Sequence, residues 1–221
     1  MGIGEDEQGL VEVETLKKNK GVQMAKAISI VLHPFLMPFW CCLILLYGPT
    51  YLYILPNPLK LYILGVFALT CLFFPAFTTG VFRSLRILPN LSLDSRRERT
   101  LPLLVVAVGY AVCYFLLARY VAIGLLPPML LGALGIVIVC FACNLYWKVS
   151  LHMAAIGGVV AVLMDVMLKG YGLVSFPLLS FIVLAGILGT ARLYLGKHNI
   201  WQVLAGFCAG IGVMSLIMNI F

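Results

Sequence analysis

Apolar runs of about 20 residues, the length that crosses the hydrocarbon core of a bilayer as a helix, follow one another almost without pause from residue 28 onward. That pattern leaves few folds open. Inside lipid every backbone N–H and C=O must be bonded within the protein, which only helices and closed barrels achieve. The period-2 alternation of barrel strands is missing from these runs. An all-α polytopic membrane protein is therefore expected, a bundle of about six to seven transmembrane helices. With 63% of residues hydrophobic and 10% charged, a soluble globule is excluded and no nucleic-acid partner is expected.

Seven apolar segments can be drawn, at about 28–48, 59–82, 102–122, 124–147, 150–168, 173–195 and 200–220. They would form six full spans and one partial one, in a single domain covering residues 27–221. Pro49, Pro56, Asn57 and Pro58 separate the first pair, Gly124, Pro127 and Pro128 the third from the fourth, and Lys169, Gly170 and Gly172 the fifth from the sixth. Residues 1–26 read as a polar tail, within which residues 10–16 form either a short interfacial helix or part of a disordered tail. No apolar stretch of signal-peptide type precedes the first long segment. All seven cysteines fall inside apolar segments, without the paired spacing of a metal site, and are expected to be small buried hydrophobes.

The longest polar loop, residues 83–101, carries five arginines against Asp94 and Glu98. Two crossings separate it from Lys148–His152, and two more separate that cluster from Arg192–His198. The three polar clusters and the N-terminus therefore share one face of the membrane. Twelve of the 15 Lys and Arg residues lie on that face, and Lys60, Arg119 and Lys169 on the other. By the positive-inside rule the cluster face is cytoplasmic, and a bacterial inner membrane is the expected location. If Arg96, Arg97, Arg99, Lys148, Arg192 and Lys197 are set aside as anion ligands, the count is still six to three.

The third cluster, ARLYLGKHNIWQ over residues 191–202, has the outline of a phosphate-handling site. Arg192 offers a planar fork to two phosphate oxygens. His198 stands six residues on, where the unpaired N–H groups of a helix start favour an anion. Gln202, one turn further, is within reach of the imidazole if the helix has begun by His198. Ser150 and His152 place a hydroxyl and a second imidazole at another helix start. His33 has no motif and is expected to be merely interfacial. Gly206 and Gly210 make a GxxxG, expected to serve helix packing, and Asp165 is read as either a functional carboxylate or a salt bridge to Lys169.

These residues resemble the signatures of the phosphatidic acid phosphatase type 2 superfamily. The third signature, S-R-x5-H-x3-D, is matched as A-R-x5-H-x3-Q, from Arg192 through His198 to Gln202. The second, P-S-G-H, is echoed by Val149-Ser150-Leu151-His152. The first, K-x6-R-P, is blurred: residues 95–102 read SRRERTLP, and no Lys stands seven residues before Arg99. The resemblance covers roughly residues 83–210. It implies a phosphatase or phosphotransferase that needs no metal or other cofactor and acts on a membrane lipid phosphate: a phospholipid, lipid A or a polyprenyl phosphate. His198 would be the nucleophile and His152 the acid that protonates the leaving alcohol. Arg192, with Arg96, Arg97, Arg99, Ser150 and Lys148, would hold the phosphoryl oxygens. The lipid chains would lie in the bilayer.

Gln202 departs from the family's Asp, which orients the nucleophile and stabilises its charge. A Gln carbonyl can fix the tautomer but brings no negative charge. The alternative is a non-catalytic protein that binds or moves a phosphorylated lipid. A multi-helix prenyl-transfer enzyme ranks lower, because the paired Asp-rich motifs that hold magnesium diphosphate are missing.

Overall fold

Proline decides where the first apolar segment breaks. Pro34 has no N–H to donate and biases His33 away from helical dihedrals, so a helix cannot run unbroken through residues 28–48. In the computed structural model, which describes residues 19–85, 96–118 and 124–221 (without the side chains of 96–99), two helices flank it. Helix α1, Lys20–Val31, is capped by the Asn19 side chain, which accepts the Gly21 N–H at 2.9 Å. It crosses the boundary drawn at residues 26 and 27; the segment at 10–16 lies outside the described residues. Helix α2 covers Met37–Tyr47, 11 residues, and at 1.5 Å per residue is about 16 Å long, roughly half a bilayer core.

Six further helices follow: α3 (Asn57–Ser84), α4 (Arg96–Ala118), α5 (Leu126–Tyr146), α6 (Leu151–Leu168), α7 (Ser175–Tyr194) and α8 (Ile200–Ile220). Each contains a stretch long and apolar enough to cross a membrane. The protein is an all-α, multi-pass integral membrane bundle, with no β-strand among the described residues beyond an isolated Thr50–Gly172 bridge. Observed bounds fall within a few residues of those read from the sequence, except at the break in the first segment and at α4, which begins six residues early. Inside α3, Pro75 cannot donate to Cys71. The chain answers with a widened turn over Ala68–Phe73, where the Phe74 N–H bonds Leu69 O, five residues back.

Helix α6 is the axis of the bundle, flanked by α2, α5, α7 and α8. Its closest partner is α8, and the GxxxG is the reason. A Cβ on Gly206 would stand 2.6 Å from Ser150 O, and one on Gly210 would collide with Ala154 O, so only glycine lets the two backbones meet.

The two ends of the bundle are tied separately. At one end Leu173 N–H bonds Pro49 O at 2.9 Å, Tyr51 N–H bonds Tyr171 O at 3.0 Å, and Leu125 N–H bonds the Tyr51 hydroxyl at 3.0 Å. At the other, Ser150 N–H bonds Gln202 O at 3.2 Å and joins the α5–α6 connection to the first turn of α8. The cysteine expectation needs correcting. Five are buried, but Cys143 is half-exposed and Cys208 exposed. Both sit on outer faces of spanning helices, where the surrounding lipid is as apolar as a core and burial is not required.

Candidate functional site

Three connections build the polar end: residues 32–36 between α1 and α2, 147–150 between α5 and α6, and 195–199 between α7 and α8. Gly196 adopts a positive φ of 62°, which permits the turn that brings Arg192 and His198 back toward each other. Asn199 then starts α8 with a capping box: its side chain accepts the Gln202 N–H at 2.9 Å, and Gln202 Oε1 accepts the Asn199 N–H at 3.3 Å.

That box decides the chemistry of His198. A backbone N–H can only donate, so the amide atom facing Asn199 must be the oxygen. The same oxygen lies 3.2 Å from His198 Nδ1. Nδ1 therefore carries a proton, and in the neutral form of the ring the lone pair sits on Nε2, the tautomer a nucleophile needs. The helix begins at Ile200 rather than by His198. The expected Gln202–His198 contact forms all the same, because the capping box turns Gln202 Oε1 back toward the residues before the helix.

His152 lies in the first turn of α6, and its Nε2 lies 3.1 Å from Ser29 O on α1. A carbonyl only accepts, so this imidazole presents Nε2–H. Arg192 Nη1 donates to the hydroxyl of the same Ser29 at 3.5 Å. One serine thus touches both residues, and Arg192, His33 and His198 are the electrostatic neighbours of His152. The structure brings together the arginine and both histidines named from the sequence. Ser150 precedes them at the N-cap of α6. Its hydroxyl is fully buried, does not cap the helix, and has no hydrogen-bond partner among the described residues. A buried polar atom left in that state marks a place built for something else. Lys148 lies in the same connection, half-buried. The backbone of residues 96–99 opens α4, but the side chains of Arg96, Arg97 and Arg99 lie outside the described residues, and so does their expected role.

Two residues of this cluster were not found by sequence reasoning. His33, expected to be merely interfacial, packs edge-on against His152 with ring centroids 5.4 Å apart. Its Nδ1 accepts the Phe35 N–H at 3.3 Å. Burial lowers its pKa to about 4, with the Arg192 charge adding in the same direction, so the ring is neutral near pH 7. Ser29 is the other. Parity already put His33 on the cluster face; nothing in the sequence shows that α1 packs on α7 and delivers Ser29.

Among the side chains described, Asp165 is the only carboxylate, and it stands at the opposite end of α6. No group of three His, Cys, Asp or Glu among the described residues is placed to hold a metal ion. The fold and site together define a class: a multi-pass helical membrane protein with an arginine–histidine cluster at one end of its bundle. No family model, curated protein or solved structure matches the chain.

Proposed function

We propose that the protein is an integral-membrane phosphatase or phosphotransferase of the phosphatidic acid phosphatase type 2 kind, acting on a lipid phosphate through a histidine nucleophile. The observation that carries the reading is the meeting of Arg192 on α7, His152 on α6 and His198 in the connection before α8, beside the partnerless hydroxyl of Ser150. A phosphate monoester needs cations on its non-bridging oxygens, a nucleophile in line with the leaving oxygen, and an acid for that oxygen. His198 Nε2 attacks phosphorus as the P–O ester bond breaks, and His152, in its imidazolium form, gives its Nε2 proton to the departing alkoxide. The neutral His152 then takes a proton from the water that hydrolyses the phosphohistidine, which releases phosphate and restores both rings. Arg192 and the Ser150 hydroxyl hold the oxygens throughout. The surplus of Lys and Arg at this end supports a cytoplasmic orientation, in a bacterial inner membrane.

Gln202 acquires a structural account in this scheme. It fixes the tautomer of His198 while completing the cap of α8, two tasks for one carbonyl, and leaves the forming imidazolium without a counter-charge. A second reading has its own support. Ser29 occupies the Nε2–H of His152 and a donor of Arg192, as expected of a site that binds a phosphorylated lipid without turning it over. Purified protein offered a panel of lipid phosphates separates the two readings. Phosphate release that disappears in His198→Ala supports catalysis, whereas saturable binding of the same lipids with no release supports the binding protein.

A further inference from the structure

Directly beneath the polar cluster lies a slot-like cavity of about 70 Å³, lined by α2, α4, α5, α6 and α8. It begins at Pro34 and Phe35, which follow His33, and at Leu151, which sits between Ser150 and His152. Along α6 it is lined by Leu151, Ala154, Ala155, Gly158, Val159 and Val162, the 3–4–3–4 spacing of one helical stripe. Val162 lies 11 residues beyond Leu151, about 16 Å at helical rise. The space exists because the stripe carries alanines and a glycine, faced by Ala133 on α5. Interiors are otherwise packed to near crystal density, and a void of this size is costly if left unfilled. The lining is apolar apart from the phenol of Tyr110 and two thiols, so neither a polar substrate nor a file of water fits it.

We propose that this cavity takes one aliphatic chain of the lipid phosphate whose headgroup sits at Arg192, His152 and His198. The inference rests on the phosphate reading of that cluster. It departs from the expectation that the chains lie in the bilayer. Transfer of a chain from lipid to a protein interior gains no hydrophobic free energy, so selection here is by shape: a slim single chain fits between the small residues of α6 and α5, and a second chain stays outside.

The test is photolabelling in lipid nanodiscs with dodecyl phosphate bearing a diazirine at the chain end, sites mapped by mass spectrometry, and phosphate release recorded in parallel. Label is expected on cavity residues such as Val159, Val162 and Met129. Ala155→Phe should cut that label at least tenfold while release from butyl phosphate stays within about twofold of wild type. Thermal melting confirms that the variant is folded; if it is not, Gly158→Leu replaces it, since the Cβ there meets only the flexible ends of Ile136 and Met214. Label confined to outward-facing Phe115, Ile138 and Met164, or interior label that both blocking variants leave intact, overturns the proposal. The two claims fail separately. Interior label with no phosphate released from any substrate defeats the phosphatase reading and leaves the chain site standing. Phosphate release with outward label alone does the reverse.

Discussion

The two ends of this bundle treat their charges in opposite ways. At the far end Lys60 is buried, yet its Nζ donates to Tyr53 O at 2.6 Å and lies 4.4 Å from the centre of the Tyr53 ring and 5.0 Å from that of Tyr47. Lys169 pairs with Asp165 at 3.2 Å and donates to Met218 O at 2.6 Å. Those charges serve the fold. At the polar end the described partners of the guanidinium and imidazoles are neutral: a hydroxyl, a carbonyl and an amide of Ser29 and Gln202. An ionisable group near a membrane is expensive, and a cluster of such groups at one end of a bundle is a candidate for function. The comparison teaches that the far-end lysines are tied down by what faces them, whereas the arginine and histidines of the polar end carry the chemistry only in the reading proposed above.

The largest expected break in this contrast is Arg192→Ala. Loss of a donor aimed at the phosphoryl oxygens should reduce phosphate release by about a hundred- to a thousandfold, whereas Lys60→Met at the far end should leave the rate per folded molecule unchanged; steady-state release from a lipid phosphate checks both. Next comes Gly206→Ala, whose Cβ meets Ser150 O. Prising α8 from the start of α6 should cost about 1–3 kcal/mol and lower activity too, because Ser150 and Gln202 are bonded across that contact; denaturant titration in detergent and the release assay read the two effects. Asp165→Ala should destabilise by about 1 kcal/mol, a buried-pair loss discounted for the partial exposure of Lys169, and leave catalysis intact.

A further contrast lies in pH dependence. The folded pKa of His33, about 4, lies below its ordinary 6.5, so between those values the unfolded chain binds the extra proton. Stability contributed by neutral His33 is full above pH 6.5 and lost as pH falls toward 4. The melting temperature of His33→Phe should fall less steeply over that window than that of the wild type.

Much of the fold was legible because lipid imposes one rule, that apolar runs of spanning length be helical, and the sequence obeys it from Asn57 onward. The break at His33 was legible in principle, since Pro34 announces it, but the run of apolar residues around it argued for continuity. Within the site, Arg192, His198 and Gln202 follow from local spacing across one turn. His152 was reached through span parity, which also put His33 on the right face without revealing that the two rings touch. Ser29 was beyond reach, because its place depends on how α1 packs against α7, a long-range choice with no local signature. The capping role of Gln202 was hidden for a different reason. The N-x-x-Q spacing at Asn199–Gln202 suits either a helix cap or a contact with the imidazole, and spacing alone does not show that one amide oxygen makes both bonds.

The central claim is that His198 Nε2 attacks phosphorus, and the phosphoenzyme tests it most directly. Protein is mixed with a ³²P-labelled lipid phosphate, quenched in base within a turnover, and the label located by mass spectrometry. The account predicts acid-labile, base-stable phosphate on the His198 imidazole, absent from His198→Ala. Phosphate release that proceeds with no phosphohistidine at His198, or with equal rate in His198→Ala, contradicts it.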